Sequence, residues 1–186
     1  MDFDGLSRFG RRLDSGSCLL AFAPGPVANV LLAAGASPVM ASAVEEVAGF
    51  TERAGALAVN LGTLNSAAAD GIRLAVRTAN QRNLPWAMDP VGVGASTYRL
   101  ALARELLAMR PTVIRGNADE ILALAGVVSQ TSHGVDSGSG SIEALESAQR
   151  LADETGAVVV LTGETDFIVS AGVDPVSIKG GHAMSR

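Results

Sequence analysis

One cysteine, two histidines, no basic cluster and no long apolar run already restrict what this chain does. Cys18 has no partner for an intramolecular disulfide, and no Cys/His spacing suits a zinc site. A free cysteine of this kind reads as a small buried apolar residue. His133 and His182 stand apart from any ligand pattern and read as solvated loop residues. Although 48% of the residues are hydrophobic and the mean hydropathy is +0.31, no stretch approaches the ~20 uninterrupted apolar residues that span a bilayer. Residues 1–16 intersperse acidic and basic side chains and do not form a signal peptide, so a cytoplasmic address is expected. Fourteen Lys and Arg are dispersed among nineteen Asp and Glu, for a net charge of −5. That balance gives no electrostatic footprint for nucleic acid or an anionic membrane. Also missing are G-x-x-x-x-G-K-[ST], a complete G-x-G-x-x-G after a strand, H-E-x-x-H and G-x-S-x-G. If ATP is used, it is not by a Walker fold.

What is present is a rhythm of short β-branched runs and longer Ala-rich segments. A chain of 186 residues buries one substantial core, so residues 1–186 read as a single domain. Residues 27–34 read as a helix stopped by Gly35, and Ser42 with Glu45 as a capping box opening a helix toward Arg53. A buried strand follows at 56–61. Asn65 is placed to cap a long helix over 66–82, and Pro85 leads into a strand at 86–88. Further on, the pattern predicts a helix at 98–109, a strand at 112–114, and a helix at 121–125 capped by Asn117 and Glu120. A Ser/Gly-rich active-site loop at 128–141 precedes a helix at 142–154, a strand at 157–161 and extended pieces at 167–170 and 176–179. Strands alternating with helices of crossover length imply an α/β fold, three-layered, with a mainly parallel sheet.

In such sheets, ligands bind beyond the carboxyl ends of the strands. Polar residues fall at those ends: Asn60, Asp89, Arg115 and Thr162. Asp89 leads into Pro90-Val91-Gly92-Val93-Gly94-Ala95-Ser96, where Gly92 and Gly94 either let the backbone approach an anion or simply permit a turn braced by Asp89. Arg115 offers a fork of donors to phosphate or pairs with a surface carboxylate. Glu120, in the first turn of its helix, either closes a capping box with Asn117 or contributes to a divalent cation. Thr162 either hydrogen-bonds a nucleotide or ends its strand.

Taken in order, GASPVM (from Gly35), EEVAGFTERAGALAVNLGTLN (from Glu45), MDPVGVGASTYR (from Met88), IRGNADEILALAG (from Ile114), GVDSG (from Gly134) and VVVLTGETDFIV (from Val158) resemble the hydroxyethylthiazole kinase family of thiamine salvage. The resemblance implies a ribokinase-like fold and a homotrimer with the substrate pocket between subunits. It also implies transfer of the ATP γ-phosphate to the primary alcohol of 4-methyl-5-(2-hydroxyethyl)thiazole. On the matching positions, Met40 contacts the thiazole, Arg115 and Thr162 the nucleotide, Gly92 and Gly94 the phosphates, and Asp89 and Glu120 the Mg2+ region.

Two departures from the family pattern bear on these expectations. Where family members carry an Asn/Thr-rich segment before the first long helix, this chain has LLAFAPGPVAN, ending in Asn29. The family also continues into a Gly-Thr-Gly-Cys type loop and further helices, so its catalytic cysteine is expected beyond Arg186 and the activity of these 186 residues is expected to be impaired. A related kinase for hydroxymethylpyrimidine or pyridoxal, and a nucleotide- or thiazole-binding module without turnover, stand as alternatives.

Overall fold

The computed structural model of the chain describes residues 18–22, 25–33, 35–41, 43–127 and 138–179. Ser42, His133, His182 and most of the Ser/Gly-rich loop, residues 128–137, lie outside them. The chain falls into two compact units, Met1–Trp86 and Ala87–Arg186.

In the first unit, strands β1 (Cys18–Phe22), β2 (Ser37–Val39) and β3 (Ala54–Asn60) lie in the order β2-β1-β3, parallel throughout. Between them run α1 (Gly25–Ala33) and α2 (Val44–Arg53), and α3 (Ser66–Gln81) follows β3. The chain passes from α2 into β3 without a loop, which is why β3 begins two residues before the alternation of apolar residues suggests. Ala69, Ile72, Ala75, Val76 and Ala79 form the buried stripe of α3, a helical spacing. Asn65 Oδ1 accepts from the Ala68 N–H at 2.9 Å, the expected cap. At the head of α2 the N-cap is Ala43, with no side-chain cap, and Glu45 and Glu46 in the first turn complement the helix dipole; Ser42, on which the expected box rests, lies outside the described residues.

Strand β4 (Trp86–Asp89) begins at the last residue of the first unit; the second unit carries the rest of it, with β5 (Val113–Asn117), β6 (Val158–Thr162), β7 (Thr165–Ser170) and β8 (Val173–Lys179), in that order. The first two pairings are parallel and the last two antiparallel. Helix α4 (Thr97–Ala108) connects β4 to β5, while α5 (Ala118–Leu124) and α6 (Gly138–Thr155) precede β6. Helix α6 begins four residues earlier than the apolar spacing predicts, because Gly138-Ser139-Gly140-Ser141 is helical although its residues favour turns. Ile114, Leu102, Leu106, Ile121, Leu151, Val159 and Val169 build the core of this unit, each no more than 2% exposed.

Three helix ends share one device. After α1, Gly35 at φ +88° lets its N–H reach the Leu32 carbonyl at 3.0 Å and the Ala36 N–H reach Leu31 at 2.9 Å. That pair of bonds is the Schellman motif. Gly126 repeats it after α5, and Asn83, at φ 53°, after α3.

Candidate active site

Three parallel strands of the second unit end side by side. In β4 and β5, Met88 pairs with Ile114, and both are fully buried. The next residues, Asp89 and Arg115, alternate to the other face of the strands and pair there: Arg115 Nη1 lies 3.3 Å from Asp89 Oδ2. Alternation along β5, with Ile114 and Gly116 buried and Arg115 and Asn117 exposed, turns the guanidinium to solvent. Its side chain is 57% exposed against 23% for Asp89. Asp89 thus sits half-sunk at the mouth of the sheet, with Arg115 over it. On the far side of β5, Asn117 is the register partner of Thr162, the last residue of β6 and itself half-buried.

The loop after Asp89 is closed by its own turns, with Val93 N–H on the Pro90 carbonyl and Ala95 N–H on that of Gly92, both at 3.2 Å. It enters α4 through Ser96, whose Oγ accepts from the Arg99 N–H at 3.3 Å. Gly92 is at φ +72°, and a Cβ there would fall 2.6 Å from Arg99 Nη1. Glycine is therefore favoured by the backbone conformation, while the Arg99 guanidinium occupies the space that a Cβ would take. Gly94 is different, since a Cβ would meet only ordinary contacts with Ala123 and the Asp119 carbonyl.

Glu120 closes the capping box: Asn117 Oδ1 accepts from the Glu120 N–H, and Glu120 Oε2 accepts from the Asn117 N–H, both at 3.0 Å. Its other oxygen, Oε1, accepts from the Gly92 N–H at 3.1 Å, across 28 residues of sequence. Each carboxylate oxygen thus takes one backbone N–H, and the Gly92 N–H expected to face an anion is directed at Glu120. Gly116 lies close beneath, where a Cβ would come within 3.3 Å of Glu120 Cβ and Oε2.

Asp89, Gly92, Arg115, Asn117, Glu120 and Thr162 thus belong to one end of the second unit's sheet. Met40 belongs to the first unit, just after β2, with 43% of its surface exposed. Asn60 there braces a turn, its Oδ1 accepting from the Gly62 N–H at 2.8 Å. Among the described residues, no group of three or more His, Cys, Asp or Glu is arranged to hold a metal. No helix among them is long and apolar enough to cross a membrane. One contributor escaped the sequence reading. Arg99 Nη1 donates to the Val91 carbonyl at 3.1 Å, and only its place at the end of the MDPVGVGASTYR stretch pointed to it.

The model of the hydroxyethylthiazole kinase family matches residues 22–185. A hydroxyethylthiazole kinase of Tolumonas auensis is 52% identical over 160 residues, which make up 86% of this chain and 59% of that protein. One from Leptospira interrogans is 49% identical, with 83% and 57% covered. The chain therefore spans somewhat over half the length of these relatives. Among solved structures, the hydroxyethylthiazole kinase protein of Pyrococcus horikoshii superposes with a TM-score of 0.82 at 33% identity, covering 98% of this chain and 68% of that one. A ribokinase-like superfamily protein of Enterococcus faecalis, at 17% identity and a TM-score of 0.53 over 89% of this chain and 53% of its own, shares the fold alone. The mostly parallel α/β architecture is thus ribokinase-like. With nearly its whole length matched by the family and about half its residues identical to named members, the chain belongs to the hydroxyethylthiazole kinase family.

Proposed function

We propose that the protein carrying this chain transfers the γ-phosphate of ATP to the primary alcohol of 4-methyl-5-(2-hydroxyethyl)thiazole, in the cytoplasm, as a homotrimer. The observation that carries the reading is the convergence of Asp89, Arg115, Asn117 and Thr162 at the ends of three neighbouring parallel strands in a member of this family. Phosphoryl transfer depends on positioning and charge stabilisation rather than on covalent chemistry by the protein, and these residues are equipped for both. Arg115 commits one nitrogen to Asp89, and the rest of its fork is suited to phosphate oxygens. Thr162, beside Asn117, places a hydroxyl at the nucleotide. Gly92 and Gly94 keep the loop backbone low enough for the phosphate chain to lie against it.

Mg2+ typically takes one or two carboxylates together with phosphate oxygens and water. Asp89 and Glu120 fit that donor set, and they are the residues that would hold the ion. Bound there, it neutralises charge on the transferred phosphate. Glu120 meanwhile carries the loop and the helix terminus on the same carboxylate, which fixes where its oxygens lie. Met40 provides a flexible apolar thioether for the thiazole ring. Met40, like Val30, Leu32 and Val44 of the same unit, is an exposed large apolar residue, which supports contacts made there with substrate or a neighbouring subunit.

Release of ADP from Mg-ATP, followed with the thiazole alcohol, hydroxymethylpyrimidine and pyridoxal in parallel, tests the reading. Preferential turnover of the thiazole is expected. Turnover of either other alcohol in its place would overturn it.

A further inference from the structure

The Val91 carbonyl and the Gly92 N–H belong to one peptide group, and both ends of it are held. Arg99 Nη1 donates to the carbonyl at 3.1 Å, and Glu120 Oε1 accepts from the N–H at 3.1 Å. In a trans peptide these two atoms point in opposite directions, and the structure contains no cis bond among the described residues. The plane is therefore gripped from two sides by side chains of opposite charge, one from the first turn of α4 and one from the first turn of α5. Glycine at 92 has φ +72° and no Cβ to oppose a rotation of this peptide. Left to itself, such a peptide exchanges between two orientations, presenting either its N–H or its carbonyl to a ligand.

We propose that Arg99 is a positioning residue of this site: with Glu120 it locks the Val91–Gly92 peptide in one orientation, so that the loop offers a single backbone surface to a nucleotide triphosphate chain. Arg99 is half-buried, and its backbone N–H is tied to Ser96 Oγ, so its guanidinium reaches back over the loop from a fixed base. The steric fit points the same way, since the volume a Cβ at position 92 would take is filled by Arg99 Nη1 at 2.6 Å. Arginine and glycine are thus matched. Glu120 is held in turn by Asn117, so its grip on Gly92 does not depend on a freely rotating side chain. The link to nucleotide binding rests on the kinase reading above; the lock itself does not.

Amide hydrogen exchange, read by NMR on the protein and on Arg99→Ala, separates the two. Loss of one grip should raise the exchange rate at Gly92 by about tenfold, the equivalent of one hydrogen bond. The Asn117 amide, held on α5 by the other Glu120 oxygen, should keep its rate. Arg99→Lys retains the stem and the charge and should restore part of the Gly92 protection. It also serves if the alanine variant is too unstable to measure. An unchanged Gly92 rate in both variants would overturn the lock, as would a rise shared equally by Gly92 and Asn117.

In the second arm, ATP with Mg2+ is titrated against both proteins, and affinity should fall about tenfold in Arg99→Ala, with adenosine binding unaltered. Faster exchange at Gly92 with unchanged ATP affinity would overturn the positioning role. A wild-type protein that binds no ATP would overturn the kinase reading, and the exchange rates would still decide the lock.

Discussion

Asp89 and Arg115, 26 residues apart in sequence, are joined at 3.3 Å one residue beyond the buried register pair Met88 and Ile114. The charged pair is carried by the ends of two adjacent parallel strands, so its geometry is inherited from strand register and not from a loop.

Because Arg115 is more than half exposed, its ion pair with Asp89 adds little to stability, at most about 1 kcal/mol. Arg115→Ala should leave the urea midpoint nearly unmoved and raise the KM for ATP. A midpoint loss larger than that, with KM intact, would make Arg115 a structural residue.

Glu120→Ala removes a capping-box acceptor and the bond to Gly92 together, and should cost about 1–2 kcal/mol in denaturant unfolding. Turnover should fall further than thiazole affinity, since its carboxylate lies on the phosphate side of the proposed site. Equal losses in kcat and in thiazole binding would remove Glu120 from the metal region.

Met88→Ala tests whether packing of β4 holds the pair in register. The side chain is fully buried, and truncation of this kind costs about 2–5 kcal/mol. The Arg115–Asp89 pair should loosen with it, so kcat should drop even at temperatures where the variant remains folded. Full kcat in a destabilised variant would show that the packing of Met88 does not set the pair.

Asn65→Ala is the control for capping without chemistry. Loss of its 2.9 Å bond to the Ala68 N–H should cost about 1 kcal/mol with kcat and KM unchanged. A changed kcat would place this helix terminus in the site.

Local signals were legible where one residue decides the outcome. Asn65 and Asn117 cap their helices as their sequence positions imply, and Gly35 ends α1. Polar residues at strand ends, Asp89, Arg115 and Thr162, are where an α/β reading places them. The start of α6 was not legible, because Gly and Ser at its first positions favour turns and caps in any local reading. Nor was the double use of Glu120. Its bond to Asn117 spans three residues and is written in the N-x-x-E spacing, whereas its bond to Gly92 spans 28 and exists only once β4 and β5 lie in register. Arg99 was invisible for a related reason. Its target is a backbone carbonyl, and a carbonyl leaves no mark in a sequence.

After β6 the sheet abandons crossover connections: Thr162 is followed by Gly163 and Glu164, and β7 starts at Thr165, antiparallel. A helical crossover would have carried the chain to the opposite end of the strands before it paired again. Here the backbone instead passes the same end twice, leaving at Thr162 and returning at Thr165, with the Gly163 N–H on Asp166 Oδ1 at 2.9 Å bracing the reversal. Gly163 and Glu164 at this tip are exposed. Changes at Glu164 should therefore leave the packed strands undisturbed, which makes the turn beside Thr162 a place where this end of the sheet can vary at little cost to the fold.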